Sequence, residues 1–163
     1  MELVGVRMEI PDNTPVLVLR EQGGRQRVLP IMIGPAEASS IHLALEGVVP
    51  PRPMTHDLFI DVLLALGATL ERVVVTEIRE HTYFAVLHLQ SPDGTRTVSS
   101  RPSDAMALAA RTGAPVFATD VLLDEVGQDP AATAGLDVEG EAESILDEFR
   151  DFIENISPED FSG

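Results

Sequence analysis

The sequence predicts an α+β fold that contains two copies of one unit, three strands followed by a helix. At two places a proline opens an apolar, helix-like segment directly after a strand-like run, at Pro35 and at Pro102. Proline is favoured at the first helical position because its φ is already helical and its missing N–H is not needed there. In both copies an acid follows two residues later, Glu37 and Asp104, where the helix dipole favours negative charge. We therefore expect helices that pack on a mostly antiparallel or mixed sheet.

The first half of the chain reads as three strands and a helix. Short runs rich in valine and leucine, partly alternating with polar residues, are typical of strands. The predicted strands are 3–10, 16–20 and 27–33. A Gly-Gly pair at 23–24 indicates a hairpin between the second and third strands. The helix is predicted over 35–46, with Ile41 and Leu45 on its apolar face and His42 on its surface.

A proline-rich connection and a second helix separate the two copies. Three prolines within residues 50–53 force an extended backbone. Thr55 is the predicted N-cap of the second helix, and His56 and Asp57 lie in its first turn. Gly67 ends this helix. Its apolar stripe consists of Leu58, Val62, Leu63, Ala65 and Leu66.

The second half repeats the order of the first half. Valine-rich and leucine-rich runs predict its strands, and turn residues at 91–94 separate two of them. The predicted elements are strands at 69–78, 82–90 and 96–100, a helix at 102–111, a short strand at 116–118 and one or two helical turns at 120–126.

Composition divides the chain into a domain, residues 1–127, and an acidic tail, residues 128–163. The net charge is −16, and the tail contributes 11 acidic residues and one arginine to it. Residues 141–156 place apolar side chains at helical spacing, which predicts an amphipathic acidic helix. Strand edges and this apolar face need cover, so we expect a homodimer or larger assembly. The tail is a candidate binding site for a protein partner.

Several classes of protein are excluded by what the sequence lacks. The absence of cysteine excludes disulfides and thiolate metal sites. The N-terminus does not resemble a signal peptide, and no apolar run is long enough to cross a membrane. We therefore expect a cytoplasmic protein without a membrane association. No Walker loop, dinucleotide-binding fingerprint or nucleophile elbow is present.

Four segments of the sequence resemble the bifunctional nuclease (BFN) domain family. They are residues 6–9 (VRME), 29–38 (LPIMIGPAEA), 51–58 (PRPMTHDL) and 100–105 (SRPSDA). The resemblance covers about residues 1–127 and leaves out the acidic tail. It implies the fold of that family and an enzyme that hydrolyses the phosphodiester bonds of DNA and RNA.

Acids, arginines and one histidine near the predicted helix starts are the candidate site. A nuclease needs carboxylates for a divalent metal or for general base catalysis, and cations that offset the charge on phosphate. The predicted catalytic residues are His56, Asp57 and Asp104, the predicted phosphate-binding residues are Arg52 and Arg101, and the predicted ligands of Mg²⁺ or Mn²⁺ are Glu37, Asp57 and Asp104. The alternative is structural, with acids that stabilise helix dipoles and an Arg101 that pairs with Glu37 or Asp104.

Two functions therefore remain open from the sequence. The first is a metal-dependent nuclease that acts on DNA and RNA and binds its nucleic acid substrate weakly, because the chain has no basic stripe. The second is a non-enzymatic regulatory or assembly protein whose acidic tail binds a partner. The residues at the helix starts would then be structural.

Overall fold

The computed structural model describes residues 1–9 and 14–130, which form two sheets and four helices of an α+β fold. The strands are β1 (Glu2–Glu9), β2 (Thr14–Arg20), β3 (Val28–Met32), β4 (Thr69–Arg79), β5 (Thr82–Ser91), β6 (Gly94–Ser100) and β7 (Val116–Ala118). The helices are α1 (Pro35–Leu45), α2 (Thr55–Ala65), α3 (Pro102–Thr112) and α4 (Asp120–Val126). The predicted α+β class is therefore confirmed.

The duplicated unit is present, but its two copies form two separate sheets. Strands β1, β2 and β3 make an antiparallel meander that leads into α1, and β4, β5 and β6 make a second meander that leads into α3. Both helices begin at a proline after an extended N-cap residue, Gly34 or Arg101. The second sheet gains β7, which pairs in parallel with β4 and makes that sheet mixed. The sequence pattern predicted the unit without specifying how many sheets its copies form.

Helices α1 and α3 pack against each other and join the two copies in one apolar core. Their buried faces contribute Ile41 from α1 and Met106 from α3, both without exposed surface. Leu45, predicted on the apolar face of α1, is instead 43% exposed because it lies in the last turn, beyond the contact with α3. His42, predicted at the surface, is partly buried because α1 also packs against β1 and β2.

Helix α2 differs from its predicted form in two respects. Its N-cap is Met54 rather than Thr55, because the carboxylate of Asp57 accepts the Met54 backbone N–H at 2.9 Å and so fixes the helix start one residue earlier. Its predicted apolar stripe exists, but no residue of α2 is buried. Leu58, Val62 and Leu66 are each about half exposed or more, because α2 contacts the body along one narrow side.

The end of the described chain is joined to the first sheet. Gln128 pairs with Val28 through two backbone hydrogen bonds, of 2.8 and 2.9 Å, just after α4. The acidic tail beyond Pro130, with the predicted helix at 141–156, lies outside the described residues. Within the described residues, no helix is long and apolar enough to cross a membrane.

Acid is expected to destabilise the protein by removing the ion pairs of Arg27. Arg27 binds Glu21 at 2.8 Å and Asp124 at 2.6 Å, which ties the β2–β3 hairpin to α4. The hydrogen bond from Arg27 lowers the pKa of Glu21 to about 2, below the ordinary value of 4.5. Because the folded state lowers this pKa, the stabilisation is complete above pH 4.5 and is lost as the pH falls towards about 2. Thermal melts across this range should show Glu21→Gln to be less sensitive to pH than the parent protein, and equal sensitivity would contradict the assignment.

Candidate active site

Arg101 lies at the centre of a charged cluster where the first turns of three helices meet. Its side chain binds Asp104 in α3 through two bonds, Nε to Oδ2 at 2.7 Å and Nη2 to Oδ1 at 2.9 Å. A third bond runs from Nη1 to Glu37 Oε1 in α1, at 2.8 Å. Although Arg101 holds two carboxylates, its side chain is 64% exposed, so the guanidinium group remains accessible from solvent. The duplicated helix starts are thus bridged by one cation.

The third helix enters the cluster through His56, in the first turn of α2. Its Nε2 atom lies 3.3 Å from Asp104 Oδ1, and its Nδ1 atom lies 2.8 Å from the Ser40 hydroxyl of α1. An ionised carboxylate only accepts hydrogen bonds, so the neutral ring carries its proton on Nε2, and Ser40 donates to Nδ1. Ser40, His56 and Asp104 have the residue types of a hydrolase triad. Ser40 is only 5% exposed, however, and its hydroxyl cannot reach a substrate.

Asp57 is held by a different arginine. Its Oδ1 atom accepts a hydrogen bond of 2.5 Å from Nε of Arg111, in the last turn of α3, while Oδ2 caps the start of α2. Arg111 also donates to the carbonyl oxygens of Ser40 and Ala107, at 3.0 and 2.9 Å. This arginine therefore ties α1, α2 and α3 together next to the Arg101 cluster, and both oxygens of Asp57 are engaged.

The bonds of these acids lower the pKa of two carboxyl groups. For Asp104, burial raises the pKa, but the hydrogen bonds from Arg101 and His56 outweigh it and leave the pKa below its ordinary value. For Asp57, burial also raises the pKa, and the bonds from Arg111 and the Met54 backbone again lower it overall. The hydrogen bonds to Asp104 raise the pKa of Arg101 in turn. Both acids are therefore ionised at neutral pH.

The arrangement does not fit a divalent metal ion as it stands. Within residues 1–9 and 14–130, no three histidine or acidic side chains form a group that could hold a metal ion. Arg101 binds both oxygens of Asp104 and one oxygen of Glu37. Its guanidinium group therefore occupies the carboxylate oxygens that a metal ion would need as ligands. The predicted metal ligands Glu37, Asp57 and Asp104 stay a prediction.

The cluster contains four of the residues that the sequence singled out, and three residues in or beside it were not singled out. Glu37, His56, Asp104 and Arg101 are brought together as predicted, whereas Arg52 is exposed and forms no ion pair with the described part of the chain. No sequence motif marked Ser40 or Arg111 as a site residue. Gly34 also belongs to the cluster, because a Cβ at this position would collide with the carboxylate of Glu37. The proline at the start of each helix could have identified Gly34, because Gly34 and Arg101 both directly precede that proline in their copies of the unit.

The fold and the cluster define a duplicated α+β domain with one polar site where its helix starts converge. The chain belongs to the bifunctional nuclease domain family, whose sequence model matches residues 17–131. It is 40% identical to an uncharacterized protein of Mycobacterium tuberculosis (strain H37Rv), over 99% of this chain and 96% of that protein. It is 25% identical to bifunctional nuclease 1 of Oryza sativa subsp. japonica, over 67% of this chain and 34% of the rice protein.

Proposed function

We propose that this protein is a nuclease that hydrolyses the phosphodiester bonds of DNA and RNA at the Arg101 cluster. The observation that carries the proposal is an arginine that is 64% exposed, held by two carboxylates, next to a His–Asp pair. Such an arginine is oriented in advance and offers its exposed side to a phosphate group. The family and its rice relative support the same chemistry.

In the proposed reaction Asp104 is the general base and Arg101 holds the phosphate. A water molecule on the exposed side of Asp104 loses a proton to the carboxylate as its oxygen attacks phosphorus, the bond from phosphorus to the leaving oxygen breaks, and the leaving oxygen takes up a proton from solvent. His56 donates to Asp104 from the buried side and so fixes its orientation. An incoming phosphate competes for Arg101 and weakens its bonds to Asp104. That loss raises the basicity of the carboxylate when substrate is present.

Asp104→Asn is the sharpest test of this proposal. The substitution keeps size and the ability to accept a hydrogen bond, but it removes the base. Activity on single-stranded and duplex DNA and RNA should fall about a hundredfold, while the free energy of unfolding changes by about 1 kcal/mol or less. Each assay is run with Mg²⁺, with Mn²⁺ and with chelator, which tests the metal dependence that the sequence predicts.

Asp93→Asn is the matched control, because Asp93 is an exposed acid in a hairpin turn with a single loose ion pair at 4.0 Å. It should retain full activity. Equal activity in the parent and in Asp104→Asn would overturn the assignment of the base to Asp104, and a purified parent that cuts none of these substrates would overturn the nuclease proposal.

A second candidate function, assembly with a further copy of the chain, is favoured by the exposed face of α2. We propose that Leu58, Phe59, Val62 and Leu66, which are 43–72% exposed, pack against the same face of a second copy. The acidic tail is a less suitable partner, because Asp61 on α2 carries the same charge as most of the tail.

A cytoplasmic location stays a prediction.

Val62→Glu is expected to convert the assembly to a monomer. Val62 is 48% exposed, so the folded monomer tolerates the charge, whereas a dry interface between copies does not. Sedimentation velocity at micromolar concentration reports the change. Val121→Glu, at a 76% exposed position of α4, adds the same charge elsewhere and should leave the assembly intact. A parent protein that sediments as a monomer contradicts the proposal.

A further inference from the structure

A cleft of about 330 Å³ opens between the two copies of the unit, on one side of Arg101. Its walls come from the end of β3, the turn between β4 and β5, and the start of α3. The residues that matter for its chemistry are Met32, His81, Tyr83, Arg101 and Ser103. This volume lies at the lower end of the range for small-ligand sites, so it suits a single nucleotide and excludes a duplex.

The surroundings of Ser103 indicate that the base of this cleft can bind an anion. The residue is only 6% exposed and lines the cleft, yet its hydroxyl has no hydrogen-bond partner among the residues that the structure describes. The hydroxyl oxygen is not among the fully buried polar atoms without a partner, so it stays accessible to a ligand that enters the cleft. Ser103 is the second residue of α3, a helix of 11 residues whose first N–H groups have no intrahelical partner. The unpaired hydroxyl, the helix start and Arg101 together suit a phosphate group.

His81 adds a second basic side chain in a backbone conformation that histidine rarely adopts. The two central residues of the β4–β5 turn, Glu80 and His81, have φ values of 47° and 63°. Asparagine and glycine are the residues that such a turn favours. A bulky residue held at positive φ is a local strain, and strain of this kind is often found where a side chain has a function.

The remaining walls are mostly apolar. Met32 is 71% exposed at the mouth of the cleft, and Tyr83 is partly exposed within it. No acidic residue lines the cleft within the described part of the chain, although the whole protein has a net charge of −16. The cleft therefore offers one apolar side to a base and the exposed guanidinium group of Arg101 to its phosphate.

We propose that this cleft binds one unpaired nucleotide of a single-stranded nucleic acid, with its phosphate at Ser103, Arg101 and His81 and its base against Met32 and Tyr83. This proposal rests on the proposed function, since it places the substrate strand beside the cluster that would cut it. It also restricts the substrate. A base enters the cleft only where it is unpaired, so single strands should bind better than duplexes.

The test is equilibrium binding of a short fluorescein-labelled oligodeoxythymidine, measured by anisotropy at low salt with chelator present. Ser103→Ala removes the unpaired hydroxyl and should weaken binding about tenfold. Met32→Glu places a charge at the mouth of the cleft and should weaken it by a similar factor. Val121→Glu changes the net charge equally but lies on α4, so its affinity should equal that of the parent.

A pair of turn variants separates the imidazole from the backbone strain. His81→Gly and Glu80→Gly both relieve a positive φ in the same turn, but only His81→Gly should weaken binding. Equal affinities for the parent, Ser103→Ala, Met32→Glu and His81→Gly would overturn the proposal, as would a duplex that binds as tightly as the single strand. A protein that hydrolyses no substrate but binds the strand through these residues would support the cleft and refute the proposed nuclease.

Discussion

Arg101→Ala is expected to reduce hydrolysis of single-stranded DNA and RNA about a thousandfold, because it removes the group that donates hydrogen bonds to the substrate phosphate and that orients Asp104 and Glu37. The three bonds of Arg101 involve the first turns of α1 and α3, so its loss also frees two carboxylates that then repel the substrate. Initial rates at subsaturating substrate report this change most directly.

Arg101→Lys keeps the charge but loses the planar fork that binds Asp104 through two bonds. It should recover only a small part of the rate. Arg96→Ala is the matched control, because Arg96 is as exposed as Arg101, at 68% against 64%, and has only a weak ion pair at 4.0 Å. Full activity in Arg101→Ala, or equal losses in Arg101→Ala and Arg96→Ala, would show that phosphate is held elsewhere.

Arg111→Met is expected to lower the free energy of unfolding by about 2–3 kcal/mol. Removing one partner of a fully buried ion pair costs about 3–5 kcal/mol, and the value here is smaller because the side chain of Asp57 remains 25% exposed. Arg111 itself is 10% exposed and also satisfies two carbonyl oxygens, of Ser40 and Ala107. Its loss therefore loosens all three helices that form the site. Denaturant unfolding monitored by circular dichroism gives the free energy.

The double variant with Asp57→Asn identifies the cause of that loss. If the pair acts as a unit, the double variant should be more stable than the sum of the two single changes predicts. Arg79→Met removes a surface ion pair with Glu77, in which both side chains are more than half exposed, and should cost little. A change below about 0.5 kcal/mol in Arg111→Met would contradict the role of this arginine. Loss of activity in Asp57→Asn without loss of stability would support the predicted catalytic role of Asp57.

Local sequence signals were sufficient to predict the helices and strands of this fold. Proline at a helix start, glycine in the turns and valine-rich runs act through backbone dihedrals and short-range burial, so they are visible in any window of sequence. They placed α1 and α3 to within one residue and located all seven strands. The same reasoning failed at the start of α2, where the Asp57 side chain reaches back to Met54 and sets the boundary.

The sequence by itself determined the duplicated strand-to-helix junction and the charges that stand at each helix start. Only the tertiary structure decided which distant charges meet, because the contacts of Arg101 with Glu37, of His56 with Asp104 and of Arg111 with Asp57 depend on how α1, α2 and α3 pack. Packing gave Asp57 to Arg111, whereas Asp104 pairs with Arg101 three residues before it, although both acids occupy the same position in their helices. It also left the apolar stripe of α2 facing solvent. Residue spacing along one helix records which side chains share a face, but not what that face will contact.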